Sequence, residues 1–219
     1  MSSQLLILPA RLALFTATAL ALCASARAGA LVATPDNVTT TMSGVTLVGA
    51  NTFDVTNVPP AGVKITGDAT FRKSGAGSAT ITASIAGKVT ANTSEDFISK
   101  YDFSVTLTGA GQVSFTLEGK VQPAPGFPFV TIVNEPLGTP FTGPGTKPYN
   151  GSSTDDIPAS VNNQNFQANL IVTWTGASDG DRLTVNIPNN SIDLAIIPEP
   201  TSMALLGFAG VGLLARRRR

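Results

Sequence analysis

Between residues 29 and 197 the apolar side chains of this chain recur at every second position. That period belongs to a β-strand with one buried face, and no segment in the same range carries the 3.6-residue period of an amphipathic helix. Phe166, Ala168, Leu170, Val172 and Trp174 make the longest apolar face. Phe103, Val105 and Leu107 oppose Ser104 and Thr106; Val113, Phe115 and Leu117 oppose Ser114, Thr116 and Glu118. Ile81, Ala83, Ile85 and Val89 follow the same rule, as do Leu183, Val185 and Ile187, and then Ile192, Leu194 and Ile196. Weaker strand candidates are Val45–Val48, Val63–Phe71 and Phe127–Val133.

About nine strands are expected on this pattern. Gly109-Ala110-Gly111 reads as a hairpin turn, Gly176 to Gly180 as a second, and Pro188-Asn189-Asn190 as a third. One-sided alternation requires two sheets packed face to face. The predicted fold is therefore all-β, a single β-sandwich of jelly-roll or immunoglobulin-like type over residues 29–197, with a closed barrel as the alternative. An outer-membrane barrel is disfavoured, because the strands are short and the aromatic residues form no paired girdles. Glu135 to Ser160 holds five prolines and four glycines and is expected to be a long loop.

Composition removes several chemistries. The chain has 219 residues and no histidine, so imidazole acid–base work, Ser-His-Asp triads and His-based zinc sites are excluded. Its one cysteine is Cys23, near the N-terminus. Six of the 14 basic residues (Arg11, Arg27 and Arg216 to Arg219) lie in the terminal segments, whereas all 14 acidic residues lie between 29 and 200. The body is thus acidic, and no nucleic-acid partner is expected.

The remaining candidates are few. Carboxylates at Glu95/Asp96, Glu118, Asp155/Asp156 and Asp179/Asp181 would need to face one another about 5–9 Å apart across a cleft to hydrolyse a glycoside. They fall mostly at turns and strand starts, so the expectation is that the protein is not an enzyme, a His-free glycoside hydrolase or lyase being the outside alternative. Asp179-Gly180-Asp181 offers oxygen ligands for calcium, though it reads first as a turn; no other cofactor is expected. A carbohydrate-binding module needs an exposed aromatic ring beside hydrogen-bonding groups. Tyr149 beside Asn150 is the better platform, with Asn162-Asn163-Gln164-Asn165 as further polar groups; Trp174 is in phase with Leu170 and Val172 and reads as core.

Both ends read as processing segments. Arg11, the apolar run Leu12–Cys23 and the small residues around Ala26 and Ala28 form a signal peptide over 1–28, with cleavage by signal peptidase after Ala28 preferred over Ala26. The 12 residues Leu12–Cys23 span about 18 Å as a helix, too short for a bilayer core of about 30 Å. At the other end, Pro198-Glu199-Pro200 halts any regular structure. An apolar glycine-containing stretch over 201–215 follows as a transmembrane helix, and Arg216, Arg217, Arg218 and Arg219 hold its end in the cytoplasm.

This tail resembles the PEP-CTERM sorting signal of Gram-negative and related bacteria. The resemblance covers residues 198–219 only. It implies export, a transient inner-membrane intermediate, processing near the Pro-Glu-Pro by an exosortase, and delivery to the cell surface or the extracellular space. Hosts of such proteins commonly make exopolysaccharide. The expected function is therefore a structural or adhesive role in an exopolysaccharide or biofilm matrix, with a carbohydrate-binding module as the alternative.

Overall fold

The computed structural model describes residues 29–34, 38–58, 62–92, 95–157 and 160–198. The signal peptide expected over 1–28 with Ala26 and Ala28, the residues Glu199 and Pro200, the helix expected over 201–215, and Arg216 to Arg219 lie outside the described residues. Among those described, every regular element is a strand, and no helix is long and apolar enough to cross a membrane.

Thirteen strands run in chain order: β1 Ala30–Ala33, β2 Thr39–Ser43, β3 Val45–Val48, β4 Asp54–Val58, β5 Gly62–Lys73, β6 Ala79–Ala91, β7 Glu95–Leu107, β8 Gln112–Val121, β9 Val130–Pro136, β10 Phe141–Thr142, β11 Gly145–Asp156, β12 Val161–Thr175 and β13 Arg182–Pro198. They form two antiparallel sheets. In the first the order is β1-β6-β12-β8-β10, with β2 also on β6 and β9 also on β8. In the second it is β11-β7-β13-β5-β3, with β4 also on β5. The main strands thus face each other as β5-β13-β7-β11 on β6-β12-β8-β9. This two-Greek-key layout is a jelly roll, which decides between the two expected sandwich types.

The expected alternation is realised on nearly every long strand. Inward positions of β6, β7, β8, β12 and β13 interdigitate as one apolar core, in which Trp174, Phe71, Phe97, Phe103 and Phe115 are the largest fully buried apolar side chains. Phe103 meets Phe115 edge-on at 5.1 Å between ring centroids, and Phe97 meets Phe166 at 5.8 Å.

Three expectations about connections are corrected. Gly109-Ala110-Gly111 is not a hairpin turn, because β7 and β8 lie in opposite sheets; it is an arch that crosses the sandwich. Its backbone bonds go elsewhere: Thr108 N–H donates to the Arg182 carbonyl at 3.0 Å, and Gly111 accepts from Gly143 N–H at 3.0 Å. Gly176 to Gly180 is likewise an arch, from β12 to β13.

Pro188-Asn189-Asn190 is not a turn between two strands but a bulge inside one, β13. Along β5 the register advances from Gly67 to Ile65 while along β13 it advances from Ile187 to Ile192. An odd number of extra residues reverses the parity of the strand. That is why the inward set changes from the odd positions Leu183, Val185 and Ile187 to the even positions Ile192, Leu194 and Ile196. Asn189 takes the left-handed conformation, φ 47°, that such a bulge requires and that Asn tolerates.

The Pro/Gly-rich stretch from Glu135 is the fourth correction. It is not a long loop: β10 and the 12-residue β11 occupy most of it, and β11 pairs with β7 from Gly145↔Leu107 to Asp156↔Asp96. Pro148 is tolerated there because β11 is an edge strand, so the missing N–H is not missed by a second neighbour.

Candidate functional site

Tyr149 does not present a platform. It lies on β11 opposite Phe103 with its ring stacked on that residue, centroids 5.2 Å apart and planes 6° apart, and edge-on to Phe115 at 5.0 Å. Only 3% of the residue is exposed. The segment before β11 closes over it: Gly138 lies against the ring, the phenol donates to the Thr139 carbonyl at 3.3 Å, and Lys147 Nζ sits 4.8 Å from the ring centroid while donating to Thr139. Burial pushes the phenol up to about 12. Trp174, fully buried opposite Val113 and Ala79, is core, as its phase with Leu170 and Val172 predicts. Asn150 is exposed but has no aromatic surface beside it from either ring.

Of the acidic candidates, Asp96 on β7 and Asp156 on β11 are cross-strand partners, whereas Glu118 lies in the other sheet and Asp179 and Asp181 in the connection between β12 and β13. Asp179 Oδ1 accepts the Gly75 N–H at 3.0 Å, and Asp181 Oδ2 accepts the Ser178 N–H at 2.8 Å, so both carboxylates hold backbone turns. Among the described residues no three Asp, Glu, His or Cys side chains are grouped as a metal site. Glu118 lies on the outer face of the first sheet, in ion-pair contact with Lys120 at 2.7 Å and accepting from Asn169 Nδ2 at 2.8 Å. Burial opposes its ionisation, but the hydrogen bonds from Lys120 and Asn169 outweigh it and hold the carboxyl below the usual range.

The site that the structure does assemble is on that same outer face. There the cross-strand rows are polar: Ser84, Asn169 and Glu118 stand abreast, as do Thr80, Thr173 and Ser114. At one end of the face lies an open cleft of about 390 Å³, lined by Thr34, Ala86, Gly87, Lys88, Phe129, Asn165, Phe166 and Gln167. Phe129 is 43% exposed and Phe127, two residues earlier, 61%. Both belong to the connection between β8 and β9.

A relay of side chains holds that connection against the sheet. Lys88 Nζ donates to Asn165 Oδ1 at 2.5 Å, Asn165 Nδ2 donates to Gln122 Oε1 at 2.6 Å, and Gln122 Nε2 donates to the Phe127 carbonyl at 2.8 Å. The turn itself is closed by Phe127 N–H on the Ala124 carbonyl at 3.1 Å. The backbone that carries the exposed Phe129 is thereby tied to the sheet, and the ring shares the cleft with amide and ammonium groups, with no carboxylate among the lining residues. Such a surface can bind a ligand that has both an apolar face and hydroxyl groups.

Sequence reasoning brought Asn165 into view but placed Phe127 inside a strand that in fact begins at Val130. The signal was present. Phe127-Pro128-Phe129 follows Pro123-Ala124-Pro125-Gly126, and aromatic residues set among prolines are out of phase with any paired strand.

The molecule is thus a jelly-roll β-sandwich with an open, aromatic-flanked cleft on one sheet. Its C-terminal residues 197–219 match the PEP-CTERM protein-sorting motif, so the tail carries that signal. No curated protein sequence matches the chain. Among solved structures it is similar to one reported for carbohydrate-binding modules of the β-sandwich superfamily (14% identity, TM-score 0.36, 74% of this chain and 58% of that one). It is also similar to the N-terminal cellulose-binding domain of Cellulomonas fimi β-1,4-glucanase C (12% identity, TM-score 0.33, 71% of this chain and 89% of that one). A third is a carbohydrate-binding module solved with β-1,4-galactotriose (11% identity, TM-score 0.31, 76% of this chain and 90% of that one).

Proposed function

We propose that this chain is an exported, exosortase-sorted protein of the cell surface or extracellular matrix that adheres to polysaccharide through the cleft beside Phe129. The observation that carries the reading is the exposed Phe129 ring lining one cleft with Lys88, Asn165 and Gln167, on a connection that the Lys88–Asn165–Gln122 relay ties to the sheet at the Phe127 carbonyl. A pyranose ring has one face of C–H bonds and a rim of hydroxyls. The aromatic ring would take the first and Asn165, Gln167 and Lys88 the second. The role is binding, without turnover. It serves adhesion because the sorting signal would put many copies at one surface, where weak single contacts add by effective concentration.

The binding claim is tested by affinity electrophoresis of the purified exported protein in gels containing the host exopolysaccharide or defined neutral glucans and galactans. Retardation that falls at least tenfold in Phe129→Ala, with unchanged emission from Trp174, is the expected result. Wild-type migration unaffected by every polysaccharide would sink the reading, as would equal retardation of the variant. The sorting claim is tested by intact mass in hosts with and without the exosortase. A mature species from near Gly29 to near Pro198, outside the cytoplasm only when the exosortase is present, is expected; a chain ending at Arg219 in both hosts would make the tail a plain anchor.

A further inference from the structure

Glu95, the first residue of β7, is a buried carboxyl that gathers backbone N–H groups from two separate segments. It is 3% exposed. Its Oε2 accepts the Asn92 N–H at 2.9 Å, and its Oε1 accepts the N–H of Gly29, 66 residues away, at 2.7 Å. Among the described residues no lysine or arginine forms an ion pair with it. Buried charges are as a rule paired, so a cation at the Gly29 nitrogen would give this carboxyl a partner.

Gly29 is as constrained as its partner. A Cβ there would stand 2.2 Å from Ile196 Cγ2 and 3.0 Å from Glu95 Oε2, so a side chain has no room at this position. The sequence places the preferred signal-peptidase cut on the bond just before it, after Ala26-Arg27-Ala28.

We propose that Glu95 is the receptor for the α-ammonium group of Gly29, and that removal of the leader completes a buried ion pair which the precursor lacks. The step is hydrolysis. Water adds across the Ala28–Gly29 peptide bond, its hydroxyl going to the Ala28 carbonyl carbon as that C–N bond breaks. The Gly29 nitrogen takes up protons to become an ammonium, and the leader departs with a C-terminal carboxylate. The nitrogen that already donates to Glu95 Oε1 as an amide then donates as a cation, and a charge-assisted bond is the stronger of the two.

The location extends the consequence. β1 begins at the next residue and pairs along β6. Ile196, against Gly29, lies on the last stretch of β13, where Pro198 pairs with Glu95 itself. The maturation cut would therefore firm the corner of the sandwich from which the sorting motif leaves.

The test uses the full chain, exported and purified, with its N-terminus read by intact mass. One Ala inserted between Ala28 and Gly29 leaves the cleavage site intact but moves the ammonium one residue, about 3.8 Å, outward. Melting is followed by Trp174 emission. The insertion and Glu95→Gln are each expected to lower Tm by roughly 2–4 °C or more, and the two together by no more than Glu95→Gln alone. Strict additivity would overturn the proposal. Should Glu95→Gln not fold, labelling by an amine-reactive reagent decides: Gly29 is expected to react at least tenfold more slowly in the wild type than the new terminus in the insertion variant. Equal rates would overturn it, and so would a wild-type chain that begins at Arg27.

Discussion

At the residue scale, the two tyrosine and glutamate environments set opposite pH limits. Burial holds the proton on Tyr149 up to about 12, whereas a tyrosine in the unfolded chain titrates near 10. The folded state binds that proton more tightly, so the contribution is complete below about pH 10 and is lost as pH rises toward 12. Thermal melts of Tyr149→Phe are expected to show a shallower alkaline decline than the wild type over that interval; parallel declines would show that the ring does not carry it. Glu118 works in the other direction. Its carboxyl lies below its ordinary value, so its contribution is present above about pH 4.3 and fades as pH falls further. Glu118→Gln is expected to flatten the acid limb of the same melts. Removing the Tyr149 ring altogether is a packing matter. Tyr149→Ala would leave Phe103 and Phe115 facing a void and cost about 3–5 kcal/mol in urea unfolding.

At the element scale, β13 is the informative strand. If residues 188–190 were a hairpin turn, deleting them would sever two strands. As a bulge in one strand they are dispensable, and their number matters. Ile187 lies opposite Gly67 and Ile192 opposite Ile65, so removing three residues would set Ser191 opposite Thr66 and leave both inward sets in place. A chain lacking Pro188, Asn189 and Asn190 is therefore expected to fold with native Trp174 emission and an unchanged β-type circular dichroism spectrum. Loss of both would return the segment to a turn. The edge strand β11 teaches the complementary point. Its prolines and glycines suggest a loop, yet its ladder with β7 is unbroken over 12 residue pairs, because an edge strand needs partners on one side only.

At the scale of the whole molecule, the two sheets share one core and the crossing connections tie them at both ends. β6, β7 and β8 each lie in the sheet opposite to the strand before, so the two sheets are built together as the chain runs. Unfolding is accordingly expected to be one cooperative transition, with far-UV circular dichroism and the emission of Trp174, the single tryptophan, superposing on one denaturant curve. Separate midpoints would mean that the sheets unfold independently. The same architecture brings the two ends of the described domain together. Gly29 and Pro198 converge on Glu95, although they stand at opposite ends of the domain sequence.

The sequence by itself determined the all-β class, the two-sheet sandwich and most of the inward-facing set, because the period of apolar residues states which side chains share a buried face. It also determined the sorting tail, whose signal lies in linear order and needs no fold. The parity change between Ile187 and Ile192 was legible as a break. Whether the chain turned there or bulged was decided by which strands lay on either side, and those come from β5 and β7, far away in sequence. The glycine arch at 109–111 follows the same logic, since hairpins and arches ask for the same turn residues and differ only in the partners of the strands they join. The candidate site was the least legible part. An aromatic residue reads the same on a platform and in a core; only tertiary packing laid the segment around Thr139 over Tyr149 and left Phe129 bare beside Asn165.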